Sequence, residues 1–446
     1  MILQNWWFTS LLPHEYPPIQ SLQKDIQVDV LIVGGGMTGL SAAASFIGKG
    51  LKVAVIERNV FGGSSTGRSA GFLTPDSELE LNQLERRFGI EGAQKIWNVP
   101  VSGIDLIVKR VKEYNIQCDL IKQDSLFVGI GRDGLDSVEE EKKSRLAAHM
   151  DVQTYGSEQL QSILGSQHYT GAVRYGNTYG ISALQYAQGM KKVLIDSGIQ
   201  IFEATEAHRI QNHTVYTHAG SVTADKIIIA IDKIKPSFSS YSKEVFHAQT
   251  FLSISEPLSD ADYKALFPSG EQFQCWDSTL VYSYWRLTGT RRLLLGGGSA
   301  LTTFMNHWYN QDRIIASVIK NFRKSFPQLK NLEFVQFWPG LIDTTRDLLP
   351  TIVRDPRSPH VHYAFGIVGL PWASFCGDFL GRVILGEANE DELKYFSYFS
   401  DRRYFALPIW LQNFMGKPSL FSLNNLWAKY YQVDLKRKLK FDSKDF

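Results

Sequence analysis

Gly34, Gly36 and Gly39 are spaced G-x-G-x-x-G, directly after the apolar run Val28–Val33 and directly before the small-residue stretch Leu40–Ile47. A glycine turn between a buried strand and a helix lets the backbone approach a pyrophosphate closely, and free N–H groups at the helix start, here from Met37 and Thr38 onward, receive the anion. Glu57 lies 21 residues beyond Gly36, at the end of a second apolar run, Lys52–Ile56. A carboxylate there can accept hydrogen bonds from ribose hydroxyls and disfavours a 2′-phosphate. The spacing predicts a dinucleotide site for FAD or NAD rather than NADP.

Other residues invite chemistry with less definition. The stretch Phe61–Gly71 is rich in glycine and serine, too flexible in composition for a helix and too long for a simple turn. Read alone it is a surface loop; its place after a βαβ unit makes it a candidate phosphate neighbour, and Arg68 is either a phosphate or cofactor contact or a solvated charge. Tyr282, Tyr284 and Arg286 alternate along an expected strand, Leu280–Arg286, and would share a face. That face reads equally as a substrate wall, with the guanidinium pairing a carboxylate, or as ordinary cross-strand aromatic packing. Gly296–Gly298 lacks the third glycine and the βαβ unit of a second dinucleotide loop. The ten histidines show no HxH or HExxH spacing, which gives metal catalysis little support.

These groups need elements to hold them. Val28–Val33, Leu40–Ile47 and Lys52–Ile56 form one βαβ unit. Helices are expected over about 78–114, 136–150, 184–197, 311–325 and 373–385, with strands at Leu126–Ile130, Ile199–Phe202, Lys226–Ala230, Thr250–Ser255, Arg292–Leu295 and Val361–Phe365. The chain of 446 residues is long enough for two or three folding units. With 47 Lys plus Arg against 45 Asp plus Glu, a net charge of +2, it lacks the basic excess of a nucleic-acid binder. The basic tail Lys436–Lys440 reads as a solvated terminus. Cys118, Cys275 and Cys376 form no CxxC pair, so a reducing, cytoplasmic setting is expected. The start of the chain has no basic region ahead of its apolar residues, and no window approaches the roughly 18 apolar residues of a membrane span.

The segments Asp29–Ala44, Ile56-Glu57-Arg58 and Gly67-Arg68-Ser69-Ala70-Gly71 resemble the FAD-dependent amine and amino-acid oxidases of the D-amino-acid oxidase superfamily. Tyr284–Thr288, Leu295–Gly298, Trp338–Pro350 and Gly366–Gly369 agree in order, and the Trp6–Pro18 lead and Tyr404–Tyr431 tail are most similar to the gamma-glutamylputrescine oxidase branch. The resemblance implies an α/β fold, α+β overall, in which a Rossmann-like FAD-binding domain (28–90, 150–235 and 335–390) is interleaved with a mainly antiparallel β substrate domain (91–149 and 236–334), between an N-terminal lead (1–27) and a C-terminal helical extension (391–446). It implies that Ser65, Thr66, Gly67, Arg68, Ser69, Ala70 and Gly71 pass beside the flavin ring. Arg58, Ala207, Gly340, Gly366, Gly369, Leu370 and Pro371 would also border FAD, and Phe72, Trp338, Trp372, Tyr282, Tyr284 and Arg286 the substrate. Two departures stand out: Leu370-Pro371-Trp372 where relatives place His-Gly, which removes one N–H donor, and Asp232-Lys233 where they carry a small-residue turn. Some relatives attach FAD through a cysteine at the place of Gly340, so FAD is expected to be non-covalent here.

The implied activity is oxidation of a C–N bond in an amine or amino acid, by hydride transfer to flavin N5 and hydrolysis of the imine. The electron acceptor is oxygen or another carrier. No dedicated acid or base is identifiable, the substrate is a small molecule, and neither nucleic acid nor a membrane span enters. A flavin dehydrogenase with a non-oxygen acceptor, an FAD-binding protein without turnover and a flavin enzyme acting on a macromolecule remain open alternatives.

Overall fold

A computed structural model describes residues 1–11, 19–76, 78–236, 238–279, 281–298 and 311–401. The tail beyond 401, with Tyr404–Tyr431, and residues 12–18 of the lead lie outside these residues.

The apolar, β-branched runs form a parallel sheet ordered Gln200–Phe202, Val53–Ile56, Ile26–Val33, Ser221–Ile229 and Val361–Phe365. Strands buried on both faces need no polar alternation, which is why these runs are almost wholly apolar. Strand order reverses between Ile26–Val33 and Ser221–Ile229, and in open α/β sheets that switch point opens a crevice at the carboxyl ends of the strands. The helices Met37–Ala44 and Leu370–Leu385 cross one face so closely that a Cβ on Gly377 would lie 2.0 Å from the Thr38 carbonyl oxygen. Arg110, on the long helical segment Leu81–Glu113, ties them together through Ser41 Oγ (2.6 Å) and Asp378 Oδ1 (2.9 Å). That segment is broken at Gly89, where the backbone leaves helical geometry.

The second sheet has nine strands, in the order Ile2–Leu3, Phe334–Thr344, Phe246–Pro257, Arg292–Gly297, Tyr284–Leu287, Phe273–Asp277, Asp124–Ile130, Tyr169–Tyr175 and Gln153–Gly156. Its pairings are antiparallel except at Ile2–Leu3 with Phe334–Thr344 and at Phe273–Asp277 with Asp124–Ile130. The expected domain limits shift accordingly. Gln153–Gly156, Tyr169–Tyr175 and Phe334–Thr344 pair within this sheet, so the segments expected to return to the nucleotide domain at 150 and 335 do so only after 175 and 344. An apolar run does not announce which sheet it joins; pairing partners far away in sequence decide.

The expected strand Leu280–Arg286 is also shorter, beginning at Tyr284. Asp277 folds the preceding residues into a turn, its carboxylate accepting from the amides of Thr279 (3.0 Å) and Ser283 (3.2 Å). Tyr282 therefore precedes the ladder that holds Tyr284 and Arg286.

Candidate active site

A cavity of about 570 Å³ opens at the strand switch point and runs between the two sheets. At one end the peptide from Gly34 to Gly36 turns the chain from strand into helix. Gly34 has φ +112°, and a Cβ there would sit 2.3 Å from the Ala230 carbonyl oxygen. Gly39 does not line the cavity; its missing side chain lets the helix rest on Gly34, whose carbonyl oxygen would be 1.8 Å from a Cβ. Gly36 differs, since a Cβ would meet only Thr66 Oγ1 at 3.4 Å. Space is left there for a ligand, not for packing. Gly36 also caps its helix without a side-chain acceptor, leaving a first turn of backbone donors facing the cavity, of which Met37 N–H is met by Thr66 Oγ1 at 3.0 Å. Thr38 lines the wall beside it.

Glu57 accepts from Gly35 N–H (2.8 Å) and Asn59 N–H (2.9 Å). Burial pushes its pKa up, and the two amides and Arg58 draw it back, so an anion is fixed beside the glycine turn where a ribose diol would donate. Asp232 is held by Ser64 Oγ (2.8 Å), Ser65 Oγ (2.6 Å) and Lys233 Nζ (2.8 Å), with Arg58 at 3.4 Å. Burial alone would raise its carboxyl; Lys233 and the two hydroxyls outweigh that and hold it below the usual value.

Residues 65–71 wrap the next part of the cavity, and the carbonyls of four successive residues are held from behind by separate elements. Asn5 Nδ2 donates to Gly67 O (2.7 Å), Trp338 Nε1 to Arg68 O (3.2 Å), Trp7 Nε1 to Ser69 O (2.8 Å) and Arg286 Nε to Ala70 O (2.6 Å). Ser65, Thr66, Arg68, Ser69, Ala70 and Gly71 line the cavity; Gly67 does not, being pressed where a Cβ would lie 2.3 Å from the Gly62 carbonyl oxygen. Ala207, Gly340, Gly366, Gly369, Leu370 and Pro371 complete this wall. The helix Leu370–Leu385 points its first turn at the cavity with Pro371 inside that turn, so one potential donor is missing there.

Three expected substrate contacts fall elsewhere. Arg286 is 0% exposed and absent from the cavity wall; besides Ala70 O it donates to Ile181 O (2.7 Å) and Leu287 O (3.0 Å). Each of its three guanidinium nitrogens donates to a backbone carbonyl, and the side chain is buried off the cavity wall, so it acts as a brace rather than a substrate contact. Trp338, 1% exposed, sits behind the loop edge-on to Trp7, with ring centroids 6.4 Å apart. Trp372 packs against Phe399 at 5.9 Å, turned away from the cavity by the helical register that exposes Pro371 and Ala373.

Phe72, Tyr282 and Tyr284 do line the far end, with Phe72 edge-on to Tyr284 at 5.9 Å and Tyr282 5.7 Å from Tyr284. Beside them stand Thr74, Asp76, Glu78, Val281 and Trp276. Tyr282 Oη donates to Glu78 Oε1 at 3.1 Å. Burial raises the Asp76 and Glu78 carboxyls, each to about 7. The signal for these acids was in the sequence, as the alternation Asp76, Glu78, Glu80 just ahead of a long helix. Acids before a helix ordinarily read as solvated capping charges. At the opposite rim, Glu206, His208 and His218 bring their ligand atoms within 4.8 Å of one another, a grouping that local histidine spacing did not reveal, and Glu206 is paired with Lys235 at 2.7 Å.

A strand switch point, a glycine turn with open helix donors, a fixed ribose acid and a braced loop leading to an aromatic pocket together define an FAD-dependent oxidoreductase of the amine and amino-acid oxidase type. The family model described as FAD dependent oxidoreductase matches residues 29–383, and the chain belongs to that family. It is 29% identical over 385 residues to a probable oxidoreductase, OrdL, of Haemophilus influenzae, covering 84% of this chain and 86% of the relative. It is 26% identical over 411 residues to gamma-glutamylputrescine oxidoreductase of Escherichia coli, covering 89% and 91%. Among solved structures, glycine oxidase from Geobacillus kaustophilus superposes with a TM-score of 0.73 at 17% identity, over 85% of this chain and 99% of that one. L-proline dehydrogenase from P. horikoshii gives 0.67 at 16% identity, over 86% and 98%. No helix among the described residues is long and apolar enough to cross a membrane.

The residues present fit FAD: the open space at Gly36 and the uncapped helix suit its pyrophosphate, and Glu57 its ribose.

Proposed function

We propose that the chain oxidises a C–N bond of a small amine. Bound FAD supplies the hydride acceptor for the carbon beside nitrogen, and the resulting imine hydrolyses in water. The protein's share is to orient that carbon between the flavin loop 65–71 and the Phe72–Tyr284 pocket and to keep water away. The observation that carries this reading is the continuity of the dinucleotide cleft with an inner end lined by Phe72, Trp276, Tyr282 and Tyr284. Tyr282 and Tyr284 act there as neutral phenols, since burial raises both. Hydride transfer from the free amine needs no dedicated acid or base at the reacting carbon, so the raised carboxyls of Asp76 and Glu78 are free for another role. The similarity to gamma-glutamylputrescine oxidoreductase favours amine over amino-acid substrates, as does an inner pocket whose charged groups are acids.

Anaerobic mixing of the FAD-loaded protein with a panel of amines and amino acids, followed by flavin absorbance, tests the reading. Bleaching by at least one amine is expected. Failure of every amine to bleach a flavin that dithionite reduces normally overturns it. Admitting oxygen or a quinone afterwards distinguishes oxidase from dehydrogenase.

A further inference from the structure

We propose that the Asp76–Glu78 end of the cavity is a subsite for a second cationic group on the substrate, so that the enzyme selects α,ω-diamines over monoamines and over ω-amino acids of equal length. This deepens the amine-oxidation reading and rests on it for the position of the reacting carbon.

Thr74, Asp76 and Glu78 lie on the cavity wall together with the rings of Trp276 and Tyr282. Thr74 is 7% exposed and its hydroxyl is near enough to the Asp76 carboxyl to lower its pKa, yet neither Thr74 Oγ1 nor the buried Asp76 Oδ1 meets a partner in hydrogen-bonding geometry among the described residues. A buried hydroxyl and carboxylate oxygen left unpaired beside empty space await a donor. An ammonium carries three donors and no acceptor, which matches two carboxylates and a hydroxyl. The aromatic faces beside them favour the same cation.

The surrounding charge is one-sided. Behind the wall Glu80 accepts from Trp276 Nε1 (2.9 Å) and from Tyr175 Oη, and Glu141, whose Oε1 lies 3.2 Å from the same Tyr175 hydroxyl, accepts from Arg145 Nε (2.8 Å). Arg145 is the cation whose field reaches Asp76, and its guanidinium is already paired with Glu141 and laid 3.9 Å over the Tyr175 ring. Among the described residues no cation acts on Glu78, whose carboxyl is influenced by Tyr282 and Asp76. Of the lining cations, Arg58, Lys233 and Lys235 are engaged by Asp232 and Glu206 at the nucleotide end, and Arg68 belongs to the loop 65–71, where its Nη1 donates to Pro339 O at 3.4 Å. Arg286, the expected carboxylate anchor, is consumed by backbone carbonyls.

The cation held here is not the reacting nitrogen. Carboxylates in a poorly hydrated pocket stabilise an ammonium and raise its pKa, whereas hydride loss from carbon requires the neutral amine with its lone pair. The held group must therefore be a second, remote one.

Calorimetric titration of the FAD-bound protein under nitrogen, with flavin absorbance recorded in parallel, tests the subsite. The probes are diamines with three to six methylenes, each set against the alkylamine and the ω-amino acid of the same length. The best diamine should bind about tenfold or more tighter than its alkylamine, with the ω-amino acid weakest. Asp76→Asn and Glu78→Gln, made separately and checked for FAD content, should each collapse that ratio toward one. Equal affinities, preference for the carboxylate, or ratios intact in both variants overturn the subsite. Absence of flavin bleaching by any probe counts against amine oxidation, while the binding ratio still decides the subsite.

Discussion

Replacing Arg286 with Met should weaken FAD binding without removing a substrate contact. Met leaves Ala70 O and Ile181 O without the guanidinium, while Leu287 O keeps its bond from Gln123 Nε2 at 2.9 Å. Two buried carbonyls stripped of donors cost about 1–3 kcal/mol each. Against this, burial lowers the guanidinium pKa from 12.5 to about 10, and the unfavourable dehydration behind that change, about 3 kcal/mol, is relieved by the substitution. The two effects nearly cancel in global stability, so the melting temperature of the apoprotein should move little. They do not cancel locally, because the Ala70 carbonyl belongs to the loop that must be ordered to receive FAD. Loss of that one anchor, about 1–3 kcal/mol, predicts an FAD Kd raised by a factor of about 5 to 150. Titration of apoprotein with FAD measures it. At saturating FAD, KM for an amine should be close to the parent value. An unchanged FAD Kd together with a KM that rises only for carboxylate-bearing substrates would show that Arg286 touches substrate and would refute the brace.

Gly36→Asp should fold normally and lose FAD, since its side chain enters the open pyrophosphate space, whereas Gly39→Ala should destabilise the fold itself through a clash with the Gly34 carbonyl; equal melting temperatures for the two apoproteins would contradict the distinction. Acid precipitation should release the flavin to the supernatant, because Cys118, Cys275 and Cys376 are buried and none lines the cavity; yellow pellets would disprove this. Asp76 and Glu78, raised to about 7 by burial among Glu80, Glu141, Arg145, Tyr175, Tyr282 and Tyr284, hold protons in the folded state that the unfolded chain has already released. Their penalty is absent below the unfolded pKa near 4 and grows as pH rises to about 7, so the melting-temperature advantage of Asp76→Asn over the parent should be larger at about pH 8 than at about pH 5. An advantage that shrinks over that interval would mean Asp76 is charged and paired at low pH.

The part of the site that was legible in the sequence is the part whose geometry is local. Gly34, Gly36, Gly39 and Glu57 lie within one βαβ unit, so the order of residues nearly dictates their placement. The acids at 76 and 78 escaped notice because their burial is imposed by Trp276 and Tyr282, some 200 residues away, and no periodicity links those positions. Alternation gives Arg286 its face but leaves substrate wall and packing equally open, and only the tertiary position of Ala70 and Ile181 shows that this face abuts backbone. The same long-range pairing places Tyr169–Tyr175 and Phe334–Thr344 in the second sheet.

The four donors that hold the flavin loop also give its order a cause. Asn5 and Trp7 come from the N-terminal lead, and Trp338 and Arg286 from strands of the nine-stranded sheet, while the loop itself follows the first βαβ unit of the other sheet. A glycine- and serine-rich segment has little intrinsic reason to keep one conformation. Its carbonyls are turned outward because each is claimed by a donor that arrives only when the second sheet and the N-terminal lead dock. The surface facing the flavin is then an interdomain product, and FAD affinity should report on docking as much as on the glycine turn. On that reasoning Trp338→Phe, which keeps an aromatic ring though a smaller one and removes a single 3.2 Å bond to Arg68 O, should weaken FAD less than Arg286→Met. The pair should be additive within about 0.5 kcal/mol, since the two side chains hold different carbonyls. Strong coupling between them would indicate that the loop moves as one unit around a single anchor rather than being set residue by residue.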